Sequence, residues 1–245
     1  SVYVSKPAMT PVQAWIKQFS YKCSLILSQY FERRRHPLAR AHQHAPFFRK
    51  RSMNEQTALI IIDMQQGMTS PTLPRRNNLG AEDNIARLLA AWRQARQPVV
   101  CVRHISRSSD SVFAPGQPGA AFQKRFNPLA EEHVVEKNVP DAFIHSGLER
   151  WLHARAIRRV VIAGVSTNNS VEASARTAGN LGFATVVVAD ATFAFDKCDY
   201  RGVLRSADEV HAMALANLDG EYASIGVTAD VVAQLVAELV ANLPA

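Results

Sequence analysis

Cysteine is scarce in this sequence. The three cysteines, Cys23, Cys101 and Cys198, follow neither a CxxC spacing nor a metal-ligand spacing. An odd number of widely separated cysteines predicts no disulfide framework and no zinc site, and it is typical of a reducing compartment. We therefore expect a cytoplasmic protein.

The N-terminal part also lacks an apolar run long enough to cross a bilayer. Its most apolar stretch, AWIKQFSYKCSLILSQYF, is interrupted by lysine and serine, whereas a membrane-spanning helix needs about 20 consecutive apolar residues. No membrane partner is expected for the domain that follows.

Basic residues outnumber acidic ones, but the excess lies at one end of the chain. Residues 1–52 contain ten Lys/Arg and one acid, whereas residues 53–245 contain eighteen Lys/Arg and twenty acids. The nearly neutral charge beyond Met53 does not predict a nucleic-acid partner.

Residues 1–52 form a basic leader that we expect to be disordered, and three interpretations of it stay open. It could be an amphipathic targeting segment, a basic arm for an anionic surface, or sequence that is not native to the protein. The stretch MNEQTALIIID is typical of the start of a small α/β protein, which favours the third interpretation. The functional prediction therefore concerns residues 53–245, expected to be one α/β domain.

From Met53 onward, strand-like and helix-like patterns alternate. The predicted strands are ALIIID, PVVCVRHI, RRVVIAGV, ATVVVADA and ASIGV, with a short β-like run before Lys137; the predicted helices are NIARLLAAWRQAR, SGLERWLHARAI, residues 171–180, ADEVHAMALANLDGEYA and DVVAQLVAELVANL. This alternation predicts a three-layer α/β/α sandwich with a mainly parallel central sheet. Ligands of such sheets bind beyond the carboxyl ends of the strands, where Asp63, residues 164–170 and Asp190 would fall.

Residues 107–128 form the longest stretch without clear periodicity, rich in Gly, Pro and Ser, with Phe113, Phe122 and Phe126. The segment could be a simple surface excursion or a lid over the site. Three aromatic side chains are unusual in a loop exposed to solvent unless they pack over another part of the protein, which favours the lid.

Three residues could carry chemistry, and each also has a structural interpretation. Asp63 at a strand end could only cap the next segment. Lys137 could be a surface lysine, although its apolar neighbours indicate a partly buried stem. Ser170, on the first turn of a predicted helix, could be a helix cap or lie at an anion-binding helix start.

Four motifs in order, ALIIIDMQ, VVEKNVPDAF, VIAGVSTNNSVEASARTAGNLGF and VVVADATFAF, resemble the isochorismatase-like cysteine hydrolase superfamily, which includes nicotinamidases and isochorismatases. The resemblance covers residues 57–230. It implies a triad at Asp63, Lys137 and Ser170, and a cis peptide at Val165–Ser166. The turn Val165, Ser166, Thr167 would shape an oxyanion hole, with the backbone N–H groups of Ser166 and Ser170 as donors.

The departure from the family pattern is Ser170, where the resemblance implies a cysteine. A cysteine thiol near pKa 8.5 can become a thiolate at neutral pH, whereas a serine hydroxyl needs a proton acceptor at the moment of attack. Asp63 could be that base, with Lys137 as its electrostatic partner.

The family's nicotinamidases bind a metal through an Asp-x-His pattern that does not follow the first strand here. His104 has no Asp two residues before it, so we interpret it as a structural or pocket residue and expect neither metal nor cofactor. His211 is interpreted as a helix contact. The predicted substrate pocket comprises Gln65, His104, Phe113, Phe122 and Asn169, and a homo-oligomer is expected.

These observations predict a metal-independent hydrolase that cleaves a small substrate at an amide-like C–N bond. One alternative is vinyl ether hydrolysis of an isochorismate-like acid, which would use Asp63 without a nucleophile and an anion-binding residue such as Arg103 or Arg107. Another is a catalytically impaired or non-enzymatic member of the superfamily, with Ser170 in place of the cysteine.

Overall fold

The computed structural model describes residues 56–241, so the expectations for the leader (1–52) lie outside the described residues. Within this range, Cys101 is buried, Cys198 is exposed, and both are free thiols. No helix of the described range is long and apolar enough to span a membrane.

A six-stranded, fully parallel sheet forms the centre of the domain, in the order β3-β2-β1-β4-β5-β8. The strands are β1 (Thr57–Ile62), β2 (Val99–His104), β3 (His133–Lys137), β4 (Arg159–Val165), β5 (Ala184–Phe193) and β8 (Ser224–Gly226); β6 (Lys197–Cys198) and β7 (Leu204–Arg205) form a separate antiparallel ribbon. The two central strands, β1 and β4, are buried along their whole length because their continuous apolar sequences are covered on both faces.

Five α-helices connect the strands: α1 (Ala81–Gln94), α2 (Leu148–Ala154), α3 (Glu172–Asn180), α4 (Ala207–Leu218) and α5 (Thr228–Ala241). A π-helical turn, Thr167–Val171, leads directly into α3. Short 3-10 turns lie at Gln66–Thr69, Pro118–Ala120 and Lys124–Phe126.

Two apolar cores lie on opposite faces of the sheet. On one face, α1 and α5 pack through Leu88, Trp92 and Leu235 against alternate residues of the central strands. On the other face, α2, α3 and α4 pack through residues such as Leu152 and Ala175. The predicted three-layer α/β/α sandwich is therefore confirmed.

Backbone geometry explains where the predicted helix boundaries were wrong. The helix expected to run to Ala223 ends at Leu218, because Gly220 adopts a φ of 81° and reverses the chain. The helix expected near His145 begins only at Leu148, because His145 and Gly147 both have positive φ angles. The helix expected from Val171 is preceded by the π-helical turn.

Residues 107–128 return to the carboxyl edge of the sheet and are anchored there. Phe126 is buried beside α1, and Phe122 pairs with Gln65 in an isolated antiparallel bridge. The backbone N–H of Gln123 donates to the carbonyl oxygen of Met64 at 3.0 Å. Two of the three aromatic side chains therefore fasten the segment to the domain.

Candidate active site

Asp63, Lys137 and Ser170 lie together at the carboxyl edge of the sheet. The Lys137 ammonium donates to Asp63 Oδ2 at 2.7 Å and to Ser170 Oγ at 3.2 Å. All three residues are buried. They meet because Asp63 follows β1, Lys137 ends β3, and Ser170 follows β4, all at the same edge of one parallel sheet.

The two oxygens of the Asp63 carboxylate differ in their hydrogen bonding. Burial raises the pKa of Asp63 above its ordinary value, while the charge and hydrogen bond of Lys137 and the nearby Ser170 hydroxyl act in the opposite direction. Oδ2 accepts from Lys137, whereas buried Oδ1 has no hydrogen-bond partner among residues 56–241. The site therefore contains a desolvated proton acceptor beside the Ser170 hydroxyl.

The turn between β4 and the π-helical segment places Ser170. The Val165–Ser166 peptide is cis, and Gly164 has a φ of 121°. A Cβ at position 164 would lie 2.1 Å from the carbonyl oxygen of Ile62, so the close approach of β4 to β1 here requires glycine. The Ser170 hydroxyl contacts Lys137, which differs from the backbone contact expected of a helix cap.

His104 and Phe113 lie next to the triad. In the parallel register His104 pairs with Lys137, and its ring meets the Phe113 ring edge-on, with centroids 6.2 Å apart. Burial and the Lys137 charge lower the pKa of His104, so the imidazole is neutral at physiological pH. These two side chains can present a neutral polar group and an aromatic surface to a ligand.

The other three predicted pocket residues occupy different environments. The buried Gln65 amide donates to the carbonyl oxygens of His104 and Ala120 and accepts from the His104 N–H, so it joins the ends of β1 and β2 to the following segment. Phe122 is part of the core, and Asn169 is exposed on the turn.

Two arginines expected near an anionic substrate are engaged elsewhere. Arg103 pairs with Glu136, and Arg107 donates to Asn138 Oδ1 at 3.0 Å. Asp190, also at the carboxyl edge, accepts from the backbone and hydroxyl of Thr228 and so fixes the start of α5.

His211 lies next to the site, whereas the sequence predicted only a helix contact for it. It extends from α4 to the buried Thr167, with Nδ1 2.8 Å from Thr167 Oγ1. No sequence signal linked the two residues, which are 44 positions apart and belong to different elements.

Metal-ligating side chains do not cluster in the part of the chain that the structure describes. Among residues 56–241, no group of three or more His, Cys, Asp or Glu residues is placed to hold a metal ion. Cavities of about 620 Å³ lie between α3 and α4 and at the amino edge of the sheet, and neither is lined by Asp63, Lys137 or Ser170.

Comparison with known proteins places this arrangement among relatives. A sequence model of the isochorismatase domain matches residues 57–226. The chain is 36% identical over 180 residues to the isochorismatase family protein YrdC of Bacillus subtilis, a match that covers 74% of this chain and 96% of that protein. It is 35% identical over 149 residues to maleamate amidohydrolase of Pseudomonas putida, covering 54% of this chain and 69% of that enzyme. A crystal structure of an isochorismatase-family protein from Chromobacterium violaceum superposes with a TM-score of 0.74 at 48% identity, covering 79% of this chain and 98% of that one.

Proposed function

Since the chain belongs to the isochorismatase family, we propose that this hydrolase cleaves an amide-like C–N bond in a small substrate without a metal ion. The similarity to maleamate amidohydrolase supports an amide-like substrate. The buried cluster of Asp63, Lys137 and Ser170 supports acyl transfer to a serine, because it joins a nucleophile, a base and a fixed positive charge.

The unpartnered Oδ1 of Asp63 is the observation that carries the proposal. In the proposed reaction, Ser170 Oγ attacks the substrate carbonyl carbon while its proton moves to Asp63. Asp63 then returns that proton to the leaving nitrogen as the C–N bond breaks, which leaves an acyl-serine. Asp63 then takes a proton from a water molecule whose oxygen attacks the acyl carbon, and it returns this proton to Ser170 Oγ as the ester bond breaks, which releases the acid and regenerates the Ser170 hydroxyl.

Lys137 and the turn that carries Ser170 are proposed to stabilise the charges that develop during this reaction. The Lys137 ammonium opposes the rise in the Asp63 pKa that burial causes, and it lies 3.2 Å from the attacking oxygen. The proposed oxyanion donors are the backbone N–H groups of Ser166 and Ser170, at the start of a helical segment whose dipole favours negative charge. Each such donor contributes about 3 kcal/mol to an acyl-transfer transition state.

The substrate pocket is proposed to include His104 and Phe113. The neutral imidazole can exchange hydrogen bonds with an uncharged polar group of the substrate, and the Phe113 ring can cover an apolar or planar part. The anchored segment 107–128, which carries Phe113, would form one wall of the pocket.

A second candidate, vinyl ether hydrolysis, is favoured by the direction of the Asp63 pKa. Because burial raises this pKa, a fraction of the carboxyl groups stays protonated at a higher pH than usual, and Asp63 could then donate a proton to a vinyl ether carbon. The engagement of Arg103 with Glu136 argues against an anionic substrate of this kind.

A substrate screen with Ser170 variants tests the proposal. The parent chain, Ser170→Ala and Ser170→Cys would each be assayed with amides, ureides and isochorismate. The amide hydrolase proposal expects turnover of an amide or ureide by the parent and by Ser170→Cys, and none by Ser170→Ala. Turnover that survives Ser170→Ala supports the vinyl ether mechanism, and activity only in Ser170→Cys shows that serine has silenced the site.

A further inference from the structure

His211, on α4, contacts the turn that carries Ser170. Its Nδ1 is 2.8 Å from Thr167 Oγ1, and Thr167 is completely buried three residues before Ser170. We infer that His211 is a positioning residue for the proposed reaction, which fixes the Ser166–Ser170 turn through the Thr167 hydroxyl.

Asn78 also approaches His211 but has no hydrogen to donate to it. Both amide hydrogens of Asn78 are donated, to the carbonyl oxygens of Ala189 at 2.8 Å and Thr192 at 2.7 Å. Asn78 Nδ2, 3.5 Å from His211 Nε2, therefore has no hydrogen left for the imidazole.

The neutral imidazole of His211 has one N–H and one acceptor nitrogen. Burial lowers the pKa of His211, while Asp208 and a hydrogen bond to the Ala189 backbone act in the opposite direction. We assign the hydrogen to Nε2, the nitrogen that does not face Thr167 Oγ1. Nδ1 is then an acceptor, and the Thr167 hydroxyl donates to it.

This bond constrains the part of the backbone that presents the nucleophile. The N–H groups of Asn169 and Val171 both donate to the Ser166 carbonyl oxygen, at 3.0 and 3.2 Å, so the turn is one closed unit. Thr167 is the side chain of that unit which His211 holds, and a β-branched side chain with a fixed χ1 transmits this constraint to its backbone. A rotation of the turn would move both Ser170 Oγ and the N–H groups proposed as oxyanion donors.

Helix α4, which carries His211, is anchored at its N-terminal end. Ser206 and Glu209 form a capping box at its start, and Asp196 Oδ1 accepts from the Ala207 N–H at 2.7 Å. The histidine therefore connects the turn to an anchored helix, and not to a free surface group.

The matched pair His211→Asn and His211→Gln tests the inference. The amide oxygen of asparagine can take the place of Nδ1, whereas the longer glutamine side chain brings its amide to the place of Nε2. We expect His211→Asn to retain kcat within about twofold, and His211→Gln to lower kcat about tenfold with little change in KM, since the loss falls on the transition state. Equal kcat values for the two folded variants would overturn the inference.

Thr167 provides a second pair of variants, which tests the same hydrogen bond from its other partner. Thr167→Ser keeps the hydroxyl, and Thr167→Val replaces it with a methyl group of similar size. Only Thr167→Val should lower kcat, and adding it to His211→Gln should cause no further loss, because both changes remove the same bond. Fully additive losses, or a kcat for Thr167→Val equal to the parent's, would contradict a role through Thr167.

The inference rests on the proposed function, so a readout without turnover is needed to separate the two. In a Ser170→Cys background, the alkylation rate of the introduced thiol by iodoacetamide is measured by peptide mapping, with exposed Cys198 as the internal reference. We expect His211→Gln to change this rate at least about threefold relative to Cys198, and His211→Asn to leave it unchanged. An unchanged rate in both variants would refute the positioning role, whereas the expected change without turnover of any amide or ureide would refute the proposed function alone.

Discussion

At the scale of single residues, the Lys137 ammonium determines what Asp63 and Ser170 can do. It lies within hydrogen-bond distance of both, and the side chains of Lys137 and Asp63 are almost completely buried. Removing one partner of a buried ion pair lowers the free energy of unfolding by more than the whole pair contributes to it, because the remaining charge is left buried and unpaired. The chemistry of the site is therefore expected to depend on each of the three side chains.

Replacing Asp63 by asparagine should abolish turnover. The amide oxygen introduced by Asp63→Asn can still accept from Lys137, but the amide cannot take the proton that Ser170 must lose. General-base catalysis contributes about 10²–10⁴ in rate, so kcat/KM should fall by at least about 100-fold. Circular dichroism should show the parent's secondary structure, and a variant that retains a tenth or more of the activity would exclude Asp63 as the base.

The pH dependence of kcat/KM should report the Asp63 carboxylate. Because burial raises its pKa above the ordinary value of 3.8, the ionised base accumulates only as the pH rises through that higher pKa. Activity should therefore increase with pH, with an acid limb above pH 3.8. In Lys137→Met the opposing charge is lost, so any residual activity should show an acid limb at still higher pH. A limb that moves to lower pH would contradict this electrostatic account.

Resemblance of motifs identified Asp63, Lys137 and Ser170 from the sequence, but it could not assign the environment of each atom. Whether Asp63 Oδ1 has a hydrogen-bond partner depends on how three strand ends are arranged in space. The engagement of the Gln65 amide by the ends of β1 and β2 likewise joins residues 39 and 55 positions apart. Such long-range contacts leave no periodic signal in the chain.

At the scale of elements, the alternation of apolar patterns predicted the strands and most helices, because burial on both faces of a parallel sheet produces continuous apolar runs. Helix ends were harder to predict. They depend on single positive φ angles, such as that of Gly220, and on the π-helical turn Thr167–Val171, which has no periodicity of its own.

The contact between β1 and β4 should make Gly164 sensitive to substitution. In Gly164→Ala the new Cβ would meet the Ile62 carbonyl at 2.1 Å, and the residue would keep a φ of 121° that alanine rarely adopts. The backbone strain alone costs about 1–3 kcal/mol, and each kcal/mol lowers Tm by about 2–4 °C in a domain of this size.

Gly80→Ala is the matched control for that measurement. Gly80 lies at the start of α1, has an ordinary negative φ of −92°, and a Cβ there would meet no atom within 4 Å. Differential scanning calorimetry should therefore show a Tm near the parent's for Gly80→Ala and a clear fall for Gly164→Ala. Equal values would show that β4 can move away from β1.

At the scale of the whole molecule, exposed apolar side chains on α4 and the β6–β7 ribbon favour self-association. Met213 is 64% exposed and Leu204 is 65% exposed, and Val203 adds a third apolar side chain to the ribbon. Light scattering at micromolar concentration should give a mass above the 27.0 kDa of one chain. A Met213→Glu variant should shift the distribution toward that mass, and a parent particle of 27.0 kDa would contradict the expectation.

The basic leader should be dispensable for the stability of the hydrolase domain. Residues 1–52 contain ten of the 28 Lys/Arg residues, and their apolar pattern does not continue the alternation that begins after Met53. Among the described residues, the two cores are formed by side chains from Ala58 to Leu235, and on this basis we expect the domain to fold without the leader. A chain that starts at Met53 should therefore melt within a few degrees of the full chain in calorimetry at matched salt concentration, and it should retain the alkylation rate of the Ser170→Cys thiol. A large fall in Tm would show that residues 1–52 contribute to the fold.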